Sequence, residues 1–146
     1  MNSVTKASHE AMFTARMKDM VAVRAFLDRF CADSGVAHGA CLRLHLVAEE
    51  LFTNTVKHGH RGGSDAPVVM TLATLPDGIR LTYEDQAPPF NPLAYADKFK
   101  AAEHVEGGKE GGLGVVLARE MALDAEYYYL FGHNRVSLKL SLVNSA

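Results

Sequence analysis

Leu44-His45-Leu46-Val47-Ala48-Glu49-Glu50-Leu51-Phe52-Thr53-Asn54-Thr55-Val56-Lys57-His58-Gly59 is the stretch from which the rest of the chain can be ordered. Leu44, Val47, Ala48, Leu51 and Thr55 recur at the three-and-four spacing of one helix face, and Gly59 suits the C′ position that ends a helix. At 100° per residue, Glu50 and Asn54 stand one turn apart beside this apolar stripe, with His58 one turn further on. A carboxylate, an amide and an imidazole thus share one line at the margin of the core. The other side carries Leu42, Leu46, Phe52 and Val56, so the helix, over residues 38–58, is expected to lie between two layers, a sheet and another helix.

The 146 residues suit a single domain, 1–146, large enough to bury a core without disulfide or metal staples. With 48% hydrophobic and 22% charged residues, the composition is that of an ordinary globular protein. A formal net charge of −2, with Lys and Arg scattered, lacks the basic patch that phosphate-backbone binding requires, which argues against DNA or RNA as a direct partner. No run of about 18 apolar residues is present to span a membrane and no signal core follows the first residues, so a soluble cytoplasmic protein is expected. Cys31 and Cys41 match neither Cys-x-x-Cys metal spacing nor a disulfide-rich scaffold, and are read as reduced thiols.

Toward the N-terminus, residues 1–9 are polar and expected to be disordered, 11–17 form a first strand, and Asp19 caps a helix whose stripe Val23, Phe26, Leu27 and Phe30 ends near Gly35. Toward the C-terminus, 68–75 and 78–85 read as a β-hairpin across Pro76-Asp77. Ile79, Leu81 and Tyr83 alternate with Arg80, Thr82 and Glu84, which puts Asp85 in phase with the apolar residues on the covered face of the sheet. A carboxylate there needs a partner, because an unpaired buried charge is costly. Residues 86–112 turn to Pro, Ala, Gly, Lys and Glu, the composition of a lid or binding loop, with a weak helical pattern over 93–103. A glycine-opened helix over 113–123, tethered by Asp124, and a hairpin of 127–131 with 136–142 around Gly132-His133-Asn134 complete the pattern. The order strand, helix, helix, hairpin, loop, helix, hairpin predicts an α+β two-layer sandwich, with helices on one face of a mostly antiparallel sheet.

Three positions carry possible chemistry, and each is weak alone. Glu50 and Asn54 could be solvent-facing neighbours, and Asp85 could cap a turn. The run Gly111-Gly112-Leu113-Gly114 offers backbone N–H groups and a helix dipole to a phosphate, although glycine clusters are as often flexible loops. It lacks the Lys-Ser/Thr of a P-loop and follows no parallel βαβ unit, so neither a Walker nor a Rossmann reading applies.

Taken together and in this order, the segments resemble the GHKL ATPase superfamily, and within it the bacterial anti-sigma factor serine/threonine kinases. Glu50 to Gly59 is similar to the family's first box, Glu-x-x-x-Asn-x-x-x-His-Gly; Asp85-Gln86-Ala87-Pro88-Pro89-Phe90-Asn91-Pro92 to its second; and Gly111 to Gly114, through Asp124, to its third. The resemblance implies the two-layer sandwich of that superfamily and ATP bound between the central helix and a lid, with Mg²⁺ on the phosphates. Asn54 would be the metal ligand, consistent with the preference of Mg²⁺ for a few oxygen ligands and retained waters. Glu50 would be the general base, one turn away and partly shielded. Nucleotide contacts would come from Asn54, Lys57, Asp85 at the adenine amino group, Ala87, Phe90, and the amides of Gly111, Gly112, Leu113 and Gly114, with Lys109 added from the lid. His58 either shapes the phosphate end or caps its own helix. Glu49 faces elsewhere, Thr82 and Asn91 rank second at the adenine end, and Tyr127 to Tyr129 pack in the sheet.

One departure stands out: Ala87 occupies the place where the second box has Gly, and a methyl there would crowd the adenine or change the turn, since Ala tolerates positive φ poorly. The resemblance implies transfer of the ATP γ-phosphoryl to Ser or Thr of a STAS-type antagonist, together with sequestration of a sigma factor, often as a homodimer. The alternative is a non-catalytic, nucleotide-dependent module that regulates a partner by sequestration. A histidine-kinase catalytic domain is disfavoured because no phosphoacceptor helix pair precedes the first strand, and topoisomerase or chaperone machinery would need much more chain.

Overall fold

The computed structural model describes residues 8–94 and 122–141. In chain order the elements are β1 (Ser8–Ala15), α1 (Met20–Ser34), α2 (His38–Asn54), β2 (Ser64–Leu75), β3 (Gly78–Asp85), β4 (Ala122–Leu130) and β5 (His133–Ser141). The five strands run in the order β1-β2-β3-β5-β4, every neighbouring pair antiparallel. This is the α+β architecture that the alternation of patterns predicts. Among the described residues no helix is long and apolar enough to cross a membrane.

Period-2 patterning sends Ile79, Leu81, Tyr83 and Asp85 to one face of β3, where all four are buried, and Arg80, Thr82 and Glu84 to the other. The covered face meets Val23, Leu27 and Phe30 of α1 and Leu44, Val47, Ala48, Leu51 and Phe52 of α2. Fully buried side chains such as Phe30, Phe52, Leu72 and Leu81 each contribute about 1.5–3 kcal/mol over their exposed state. The outer face is laced with ion pairs, Arg80 to Asp124 at 3.0 Å and Arg135 to Glu84 at 3.2 Å, which keep it polar but add little stability.

Several expectations are corrected. Ser8 and His9, expected in a disordered tail, belong to β1 and pair with Ala73 and Leu72, because β2 is long enough to offer them a ladder. Residues 1–7 lie outside the described residues. Asp19 stands at the N-cap of α1 without capping it: its Oδ2 accepts from the Thr14 amide at 2.7 Å and the Thr14 hydroxyl at 2.8 Å, since a short 3₁₀ turn folds Asp19 back onto β1. Those bonds, the backbone one foremost, hold its carboxyl below the usual carboxylate range. Leu42 and Leu46 are 55% and 43% exposed, so α2 is covered by the sheet and α1 but not on that third side. Its end is a π-helical turn over Thr55–Gly59, and Gly59 is not left-handed.

The last hairpin turns on Phe131 and Gly132, both at positive φ (51° and 80°), as a two-residue loop that matches strand twist requires. His133 and Asn134 therefore belong to β5 rather than to the turn. Ala122, Leu123 and Asp124 lie on β4 and not at a helix end; the rest of the helix expected over 113–123, residues 113–121, lies outside the described residues. Cys31 and Cys41, expected as free thiols, form a disulfide between the last turn of α1 and the first of α2. The short connection between the two helices brings their Cα atoms to 6.1 Å, a proximity that a spacing of ten residues does not reveal.

Gly78 sits where β3 begins, and a Cβ there would collide with the Leu140 carbonyl oxygen on β5. Gly78→Ala is expected to lower stability by about 1–3 kcal/mol through the forced shift of a central strand pair, measured as a reduced urea midpoint with unchanged slope.

Candidate functional site

The end of α2, the end of β3, the segment after it and the start of β5 enclose a cavity of about 230 Å³. Asn54, Thr55, His58 and Gly59 line it from the helix, Tyr83 and Asp85 from β3, Ala87 to Phe90 from the following segment, and Asn134 from β5. That volume is below the roughly 300–1,000 Å³ typical of a site for a whole drug-sized ligand, and it suits one part of a nucleotide. Leu51, Val136, Phe90 and the prolines supply apolar walls suited to a planar ring.

Asp85 is the buried partner-seeking carboxylate that strand phase predicts, and the structure supplies three donors. Thr55 Oγ1 donates to Oδ2 at 2.7 Å, and Oδ1 accepts from the Ala87 amide at 3.1 Å and from Asn134 Nδ2 at 2.9 Å. Thr55 has one hydroxyl hydrogen, so giving it to Asp85 leaves its oxygen to accept from the Tyr83 hydroxyl at 2.5 Å. Burial drives the Tyr83 phenol well above its ordinary range, which keeps it a protonated donor. With one bond at Oδ2, Asp85 retains acceptor capacity toward the cavity.

Asn134 fastens the segment after β3. Its two Nδ2 hydrogens are shared among Asp85 Oδ1 and the carbonyls of Ala87 at 3.0 Å and Pro88 at 3.1 Å, while its Oδ1 accepts from the Phe90 amide at 2.9 Å and the Tyr127 hydroxyl at 2.5 Å. Every hydrogen-bonding position of this buried amide is occupied, which fixes the wall formed by Ala87 to Phe90. Ala87 is itself buried and has no positive φ, so its methyl does not force a left-handed turn. A Cβ on Gly59 would lie 2.7 Å from the Ala87 Cβ. The absence of a side chain at 59 is what lets the alanine fit against the helix end.

Glu50 stands one turn before Asn54 on the same edge of α2. Its Oε2 is buried and has no hydrogen-bond partner among the described residues. Burial raises the Glu50 pKa above the ordinary carboxylate range, against the opposing pull of the His58 charge, the Asn54 bond and the Lys57 charge.

The remaining expectations divide clearly. His58 lines the cavity, whereas Lys57 is exposed beside it; Phe90 borders the opening at 44% exposure. Glu49 does face elsewhere, bound to His45 and Arg24. Thr82 lies on the outer sheet face, opposite in phase to Asp85, and Asn91 uses its Oδ1 on the amides of Leu93 and Ala94, so neither second-rank residue joins the site. Lys109, Gly111, Gly112, Leu113 and Gly114 lie outside the described residues. Thr55, Tyr83 and Asn134 were missed as site residues: the first two read as core, and Asn134 was assigned to a turn. Asn134 pairs with Asp85 across β3 and β5, and Tyr83 lies two residues before Asp85 on the same face of β3.

A five-stranded antiparallel sheet backed by helices, with a polar-floored cavity between a helix end and two strands, defines a GHKL-type domain. Residues 13–140 match the histidine kinase-like ATPase domain, and the chain belongs to that family. It is similar to the serine-protein kinase RsbW of Listeria monocytogenes serotype 4a and of Listeria innocua serovar 6a, each 24% identical over 119 residues, covering 80% of this chain and 76% of the relative. Among solved structures it is similar to the RsbU and RsbW domains of Rv1364c from Mycobacterium tuberculosis, with a TM-score of 0.65 and 19% identity over 97% of this chain. The chain spans 34% of that larger one, and the likeness supports the fold.

Asn134→Ala would take the Oδ1 acceptor away from the Phe90 amide and the Tyr127 hydroxyl and remove one donor from Asp85. The expected cost is about 2–3 kcal/mol in chemical denaturation. Asn134→Asp should cost more, because it sets a second carboxylate against Asp85.

Proposed function

We propose that this chain is an ATP-dependent protein serine/threonine kinase of the anti-sigma-factor type, moving the γ-phosphoryl of ATP to a Ser or Thr of a STAS-type antagonist. The observation that carries this reading is Glu50, a desolvated carboxylate with an orphaned oxygen, one turn from the buried Asn54 at the helix end that lines the cavity. The names of the Listeria relatives support it.

The residues fit the nucleotide and ion that the family implies. Asp85 offers a carboxylate oxygen to an exocyclic amine, the apolar walls suit an adenine ring, and Asn54 offers a hard amide oxygen to Mg²⁺. The metal, when bound, supplies neutralisation of phosphate charge. Within the chain, Glu50 accepts the proton of the attacking hydroxyl, one helical turn from Asn54 on the same edge of α2. Lys57 brings positive charge to the same helix end, next to His58 at the cavity. Lys109 and the glycine run 111–114 complete the phosphate end in this reading, and residues 1–146 act as one unit. Sequestration of a sigma factor, homodimer formation and a cytoplasmic location belong to the same proposal, with no direct contact to nucleic acid or membrane.

Incubation with a purified STAS-domain protein, labelled ATP and Mg²⁺ is expected to place label on Ser or Thr of that protein. Glu50→Gln should slow transfer by about 10²–10⁴-fold while nucleotide binding persists. Asn54→Ala should abolish the dependence of nucleotide affinity on Mg²⁺. Equal transfer by wild type and Glu50→Gln would overturn the assignment of the base, and nucleotide binding without transfer to any partner would leave the sequestering module as the function.

Glu50 also links function to stability. Its folded-state pKa is raised, so the native state holds the proton more tightly than the unfolded chain, and ionisation at neutral pH costs stability. That cost begins as pH rises through the ordinary glutamate value of about 4.3 and is complete above the raised native value. Glu50→Gln is therefore expected to melt at a higher temperature than wild type at pH 7, with the difference shrinking below about pH 4.

A further inference from the structure

Away from the cavity, metal-binding chemistry concentrates on the opposite edge of α2, where it meets α1. Asp28 and Cys31 lie three apart on α1, and Cys41 and His45 four apart on α2, spacings that put each pair on one helix face. The hairpin joins the two faces. Ligand atoms of Asp28, Cys41 and His45 lie within 4.8 Å of one another, and Cys31 reaches the same point through its disulfide to Cys41. The His45 side chain is 16% exposed and that of Asp28 71%, so the cluster is shielded on one side and open on the other.

His45 is held at both ring nitrogens by carboxylates: Nδ1 lies 2.9 Å from Glu49 Oε2, and Nε2 lies 2.8 Å from Asp28 Oδ1. A neutral imidazole has one N–H. Glu49, anchored by Arg24 Nε at 3.2 Å, takes that hydrogen at Nδ1, which leaves the Nε2 lone pair facing a carboxylate oxygen. Two acceptors so placed need a cation between them, either a second proton on the ring or a metal ion. The neighbouring sulfur favours the metal: thiolate, imidazole and carboxylate are the donors of zinc, and a carboxylate on the far nitrogen is the usual outer support of a zinc-bound histidine.

We propose that, when Cys31 and Cys41 are reduced, Asp28, Cys31, Cys41 and His45 bind one divalent cation of the zinc class at the mouth of the α1–α2 hairpin. The disulfide and the metal are then alternative staples made from the same two sulfurs. Reduction by a dithiol passes two electrons into the S–S bond, leaving two protein thiols and the reductant as its disulfide. Metal binding releases the two thiol protons to solvent. In the reverse direction an oxidising disulfide takes two electrons from the thiolates, the S–S bond re-forms, and the ion departs.

The intact chain, reduced by a phosphine and freed of metal, is titrated anaerobically with Co²⁺ and then with Zn²⁺. One equivalent of cobalt should give the intense visible bands of a tetrahedral site together with thiolate-to-cobalt charge transfer, and one equivalent of zinc should bleach them. The same chain oxidised to the disulfide should give neither. Glu49→Gln, which keeps every proposed ligand, should weaken zinc binding by about 10–100-fold. Asp28→Asn, on the open side of the cluster, should weaken it without disturbing the fold, as circular dichroism would check. An octahedral cobalt spectrum, no charge-transfer band, or affinities in both variants equal to wild type would overturn the proposal and assign the second proton to His45.

Discussion

A single buried carboxylate sets the geometry of the cavity. Asp85 lies on the covered face of the sheet and must be bonded there, because leaving a charge unpaired in that position costs several kcal/mol. Its three donors come from three places: Thr55 at the end of α2, Ala87 in the segment after β3, and Asn134 on β5. Meeting that one electrostatic demand therefore ties a helix end, a loop and a neighbouring strand to one point. The cavity is the space these tethered pieces leave beside the carboxylate. Gly59 and Ala87 show how tight the arrangement is, since the helix end and the loop approach to a distance that admits a methyl on only one side.

The helix that brings Thr55 to Asp85 is amphipathic in an unusual way. Its apolar stripe faces the sheet and α1, and it carries polar groups along two opposed edges. Glu50 and Asn54 run along one, and of the two Asn54 lines the cavity. His45 and Glu49 run along the other, against α1, bonded to Asp28 and Arg24. Adjacent residues Glu49 and Glu50 thus serve different surfaces because a helix turns 100° between them. Their situations differ accordingly: Glu49 is bonded on both oxygens, to Arg24 and to the His45 ring, whereas Glu50 is partly buried with one oxygen unpaired among the described residues. The second arrangement is destabilising, because burial without a partner disfavours the charged form.

Much of this was legible in the residues. Three-and-four spacing places α2 and its Glu50 edge, and period-2 phase buries Asp85, because both patterns follow from backbone geometry that tertiary packing leaves intact. The polar partners of Asp85 were not legible. Thr55 counts as an apolar-stripe residue by position, and only its contact with β3 reveals the hydroxyl as a donor. Asn134 was hidden by a turn placed two residues too late, since Phe131 at positive φ is a turn residue that composition does not favour.

The sequence by itself determined the fold class, the order of its elements, the covered face of each strand and the helix edge that carries Glu50 and Asn54, because these depend on local periodicity. Tertiary structure alone decided which groups surround Asp85, that Cys31 and Cys41 meet, that Gly59 makes room for Ala87, and that burial raises the Glu50 pKa. Those facts depend on the distance between residues far apart in the chain, and on how much water packing excludes, neither of which is written in any local pattern.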